Sequence, residues 1–175
     1  HSLSALGDVN KDKKPELLIG APGETVGANT QAGKAYLFSG AKLVKGASLS
    51  TSDAAHSWSG QNSNAEFGRQ VAMTGDINKD GFADFLISAG KADHNGQTAV
   101  GAVYVFLGND FTKMKSGTGA TNTHIKWFGS AKNQQLGYSG LCSGFDLTGD
   151  GYPDLLFAET PDAKNKSKGI LYLYH

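Results

Sequence analysis

Cysteine is almost missing from this chain. Among 175 residues only Cys142 carries a thiol, so no disulfide can form within it. Set among small and apolar neighbours, Cys142 is expected to be a buried structural thiol. Proline is scarce at 4 residues while glycine is abundant at 24, a balance that suits many short strands joined by tight turns. Long apolar runs are lacking: no segment approaches the ~18–20 consecutive residues of a membrane-spanning helix. No signal-peptide pattern opens the sequence, as expected of a mature portion. Net charge is absent as well, with 16 basic and 16 acidic residues. The lysines are scattered rather than striped, which argues against nucleic acid as a partner. Catalytic signatures are missing too. Without a Gly-x-Ser-x-Gly elbow, a phosphate-cradling loop or a zinc spacing, no enzymatic activity is expected of this segment. His56, His94 and His124 fall in different linkers and are expected at the surface without a role.

The acids, by contrast, are concentrated. Nine of the sixteen lie in three nine-residue stretches: Asp8, Asp12 and Glu16; Asp76, Asp80 and Asp84; Asp146, Asp150 and Asp154. The middle stretch, Asp76-Ile77-Asn78-Lys79-Asp80-Gly81-Phe82-Ala83-Asp84, puts side-chain oxygens at positions 1, 3, 5 and 9 and glycine at position 6. A hard cation such as calcium takes six to eight oxygen ligands in irregular geometry, so alternating carboxylates can wrap it. Gly81 permits a tight turn that directs the position-7 carbonyl of Phe82 inward. Three carboxylates within nine residues repel one another unless a cation joins them.

The stretch occurs three times. In the third, Asp146, Asp150 and Asp154 match, Tyr152 offers the carbonyl, and Thr148 supplies a weaker neutral oxygen at position 3. In the first, Asp8, Asn10 and Asp12 match and Lys14 offers the carbonyl. Lys13 replaces the glycine there and Glu16 replaces the last aspartate, so a positive φ would force Lys13 into a disfavoured backbone shape. Up to three calcium ions are expected, with the second loop tightest and the first weakest. An EF-hand is excluded, because its position-12 glutamate would fall on Ile87, inside an apolar strand-like run.

Around these loops the whole chain repeats. Gly33, Gly101 and Gly169 are evenly spaced 68 residues apart, and Trp58 and Trp127 are 69 apart. Each unit holds about four short strands, the pattern of a propeller blade that buries its faces against its neighbours. Tyr36, Tyr104, Tyr172, Trp58, Trp127 and Phe67 could stack on sugars, but their equal spacing predicts inter-blade core instead.

Phe67-Gly68 stands before the second unit's first strand, and Gly20-Ala21-Pro22 closes the first unit's second strand. Leu136-Gly137, Ser88-Ala89-Gly90 and Ala158-Glu159-Thr160 are degraded versions of the two motifs. With these motifs the chain resembles the FG-GAP repeat family, the blades of integrin α-subunit-like β-propellers. The resemblance covers nearly the whole sequence. It implies an all-β fold of four-stranded antiparallel blades, with a calcium loop between the first and second strands. The expected domain is a partial propeller over 1–175, with blades at about 1–60, 61–129 and an incomplete 130–175. Propellers of this family usually have seven blades, so a longer parent is expected.

Function follows as expectation. Calcium sites of modest affinity suit an extracellular, secreted or cell-surface setting. Asn165, in the sequon Asn165-Lys166-Ser167, is a glycosylation candidate consistent with it. The resemblance implies a scaffold for protein–protein or cell-adhesion-type interaction, with a protein partner or further blades against its faces. The variable loops at 23–32, 90–100 and 162–168 are the expected partner rim. Two alternatives stand beside it: a carbohydrate-binding lectin propeller, and the accessory propeller of an enzyme like the glycosylphosphatidylinositol-specific phospholipase D.

Overall fold

The computed structural model describes residues 1–109, 111–119, 123–160 and 169–174. Its strands fall into three sheets, each built by meandering antiparallel hairpins. The first holds β1 (Ser2–Ala5), β2 (Leu17–Ala21), β3 (Lys34–Phe38) and β4 (His56–Ser59). The second holds β5 (Phe67–Gly75), β6 (Asp84–Ala89), β7 (Ala102–Phe106) and, at its edge, β9 (Ile125–Phe128). The third holds β10 (Leu141–Phe145), β11 (Asp154–Ala158) and β12 (Leu171–Tyr174). These are propeller blades, and the described residues are all-β apart from two single-turn 3-10 segments, Gly40–Lys42 and Thr51–Asp53.

Strand alternation decides which blade each side chain meets. In β6, Phe85, Ile87 and Ala89 join the apolar cluster shared with the first blade, while Leu86 joins the cluster shared with the third. In β7, Ala102, Tyr104 and Phe106 face the first blade, and Val103 and Val105 face the third. Every residue of β6 and β7 is buried, because a middle blade is covered on both faces. Full burial of one such Leu or Phe contributes about 1.5–3 kcal/mol. Of the repeated tryptophans and tyrosines, Tyr36, Trp58 and Tyr104 are buried as expected, while Trp127 and Tyr172 pack half-buried against the cluster shared with the third blade. Trp58 packs 4.9 Å from Phe106 between ring centroids and Trp127 packs 4.8 Å from Tyr174, two equivalent contacts across successive interfaces.

The 68-residue glycine period has a steric origin. Gly33 and Gly101 each form a parallel bridge to the start of the next blade, at Phe67 and Leu136. A Cβ at Gly33 would overlap the Phe67 carbonyl, and one at Gly101 would overlap the backbone of Leu136. Both adopt φ near 80°, so two separate constraints demand glycine.

The linker before β9 contains β8 (Gly117–Thr118), which pairs in parallel with β4 of the first blade. Two expectations need correction beside it. The Trp58 indole N–H donates to the Lys115 carbonyl at 2.8 Å, and Phe111 and Met114 pack on the core beside it. His56 is therefore half-buried rather than a surface residue: it stacks on Trp58 and meets Phe111 edge-on at 5.3 Å. Cys142 is exposed, not buried. Its neighbour Leu141 packs toward the middle blade, so alternation turns Cys142 to the opposite face. Asn165 and the 162–168 loop lie outside the described residues.

Candidate metal centre

Each acidic loop joins the first and second strands of its blade, and the three loops fold alike. Asp76 accepts N–H bonds from Asp80 at 3.0 Å and Gly81 at 2.7 Å, one on each carboxylate oxygen. Asn78 Oδ1 accepts from the same Asp80 N–H at 3.1 Å, and Asp80 Oδ1 accepts from Phe82 N–H. Asn78 Nδ2 in turn donates to the second Asp80 oxygen. Because one N–H serves two side chains, the oxygens of positions 1 and 3 are drawn together and position 5 is tied to them.

The first loop repeats this almost bond for bond. Asp8 accepts from Asp12 and Lys13, Asn10 from Asp12, and Asp12 from Lys14. In the third, Asp146 accepts from Gly149, Asp150 and Gly151, and Asp150 accepts from Tyr152. Positions 4 and 6 are left-handed in every loop: Lys11 and Lys13, Lys79 and Gly81, Gly149 and Gly151. Lys13 does carry the disfavoured shape expected of it, at φ 68°.

The position-9 acid does something else. Glu16, Asp84 and Asp154 are almost wholly buried, and each accepts from the N–H of position 2: Val9, Ile77 and Leu147 respectively. Glu16 also accepts from Gly40, and Asp84 from Gly108, so each braces its loop against the turn leaving the third strand. Burial, above all, pushes the Asp84 carboxyl up to about 6, with Asp80 and Asp76 adding to the rise against two lowering N–H bonds. Glu16 is raised for the same leading reason. The structure thus gathers positions 1, 3 and 5 in the first two loops and positions 1 and 5 in the third, with the position-9 acid buried and bonded to the N–H of position 2. Among the described residues, no three His, Cys, Asp or Glu side chains stand close enough to hold a metal by themselves. What the first and second loops gather is two carboxylates with an amide between them, and the third loop ties its two carboxylate positions together in the same way.

A family model described as "FG-GAP repeat" matches residues 2–38 and 67–106, the first three strands and acidic loop of each of the first two blades. The chain carries FG-GAP repeats. Integrin alpha-PS2 of Drosophila melanogaster is 29% identical over 157 residues, covering 86% of this chain and 11% of that protein. Phosphatidylinositol-glycan-specific phospholipase D of Bos taurus is 31% identical over 172 residues, covering 96% and 19%. Integrin alpha-5 of Xenopus laevis is 30% identical over 162 residues, covering 89% and 14%. The chain therefore spans less than a fifth of the length of these relatives.

Within the FG-GAP repeats, one set of contacts between loops carries no mark in the cation pattern. The position-4 lysine of one loop lies over the position-7 aromatic ring of the next: Lys11 over Phe82 at 3.8 Å, and Lys79 over Tyr152 at 3.5 Å. Position 4 carries no ligand oxygen, so nothing in the cation pattern marked it. The equal spacing of the loops was the available signal.

Proposed function

We propose that this chain is a calcium-binding segment of an extracellular FG-GAP β-propeller that serves as a scaffold for protein partners. The observation that supports the reading is one loop geometry met three times, in which position 1 accepts from the N–H of position 5, with the position-3 amide oxygen joining them in the first two loops. Such a donor set suits calcium, and a carboxylate saturated on one side by N–H groups keeps lone pairs for an ion on the other. A divalent ion there would favour the ionised form of the neighbouring acids, including buried Asp84. A bound cation would keep the paired carboxylates ionised and occupied, which suits them poorly to proton transfer. Calcium, when bound, ties the turn between two strands and stiffens the blade edge.

The partner would engage the other rim, where the 23–32 and 90–100 loops project. Integrin alpha chains and phospholipases D both figure among the relatives, and a supporting propeller within a larger protein is a role that fits a likeness to either. No helix among the described residues is long and apolar enough to cross a membrane.

The test is a calorimetric calcium titration of chelator-stripped protein. Up to three ions are expected to bind, with the second loop tightest, and Asp80→Ala is expected to remove one ion from the stoichiometry. A stoichiometry that Asp80→Ala leaves unchanged would overturn the assignment.

A further inference from the structure

The three loops do not stand alone along their rim. Lys11 of the first blade reaches the second loop, where its ammonium lies 3.8 Å from the centre of the Phe82 ring and donates to the Asp80 carbonyl at 2.7 Å. Lys79 of the second blade repeats the move onto Tyr152 of the third at 3.5 Å. In both cases a position-4 lysine meets a position-7 aromatic one blade onward. A cation over an aromatic face is attracted by the ring quadrupole, and donation to a backbone carbonyl fixes the receiving loop directly.

We propose that Lys11 and Lys79 are positioning residues that lock each acidic loop onto the loop of the following blade, holding the receiving loop in its cation-binding shape. Two further observations converge on this. Both lysines keep left-handed backbones, at φ 61° and 57°, a strain that glycine would relieve at the loss of the side chain. Position 6 of each receiving loop is glycine, and a Cβ at Gly81 would come within 2.9 Å of the Lys11 ammonium. That glycine thus serves the arriving lysine as well as its own turn. The lock runs in one direction along the rim, from the first loop to the second and from the second to the third.

The lock itself is tested without calcium. Lys11→Met, Phe82→Leu and the double variant are melted in chelator. Each single change is expected to lower Tm by about 2–4 °C, with the double no lower than the worse single. Additive losses would overturn the lock. Positioning of the second loop rests on the calcium reading proposed above, and is tested with Asp12→Asn and Asp150→Asn silencing the outer loops. In that background Lys11→Met is expected to weaken calcium binding about tenfold and Lys11→Arg to restore most of it, since arginine also stacks and donates. Unchanged or tighter binding in Lys11→Met would overturn the positioning role. A chain that binds no calcium in any form would sink the calcium reading alone, leaving the chelator cycle to decide the lock.

Discussion

Lys13 shows most plainly how one residue can sit against its backbone. It occupies the position that its sister loops give to Gly81 and Gly151, at the same left-handed φ. A Cβ in that region costs roughly 1–2 kcal/mol, part of which the greater freedom of glycine in the unfolded chain offsets. Lys13→Gly is therefore expected to stabilise the protein by about 1 kcal/mol, raising Tm by about 2–4 °C in a thermal melt. His56 illustrates a different residue-scale effect. Burial against Trp58 and Phe111 holds its imidazole below the ordinary 6.5. As pH falls, the unfolded chain takes up this proton before the folded one, so the His56 contribution to stability is full above about 6.5 and declines below it. The variant His56→Phe should remove that decline. Urea midpoints of the two proteins compared between pH 7 and pH 5 check it, and parallel pH profiles would refute it.

At the scale of elements, β4 and β9 carry equivalent tryptophans in unequal settings. Trp58 is 1% exposed and covered by the segment leading to β8, whereas Trp127 in β9 is only half-buried. Removing a fully buried tryptophan leaves a cavity that its neighbours close only in part. Trp58→Ala is expected to cost about 3–5 kcal/mol and Trp127→Ala clearly less. Chemical denaturation of both variants measures the difference, and equal losses would show that the folded-back segment adds no cover. The strands themselves were legible in the sequence because apolar alternation and glycine turns mark them directly. The segment at 111–119 was not, since its two-residue strand owes its existence to the edge of a distant blade. The exposure of Cys142 was equally hidden: local composition does not say which face of β10 a neighbouring blade covers.

Over the whole molecule, stability should follow how many neighbours a blade has. The middle blade is buried on both faces, so opening it exposes two interfaces at once. Amides of β6 and β7 are expected to exchange slowest, and those of β12, whose residues are mostly exposed, to exchange fastest. Hydrogen exchange followed by mass spectrometry reads this order. Uniform protection across the three blades would mean that they unfold as one unit.

The sequence by itself determined the repeat, the blade strands and the three acidic loops, because each depends on local spacing: period-2 alternation, glycine turns and oxygens at alternate positions. It also placed Trp58, Phe67 and Tyr104 in the core, since an equal position in every repeat implies an equal environment. Tertiary structure alone decided that Glu16 and Asp84 brace their loops, because burial and distant partners at Gly40 and Gly108 arise only once the third strand is in place. It alone decided, too, that Lys11 and Lys79 reach across to the next blade. Residues about 70 positions apart meet there because blades stack in sequence order, and a contact made by stacking leaves no mark in the spacing within either loop.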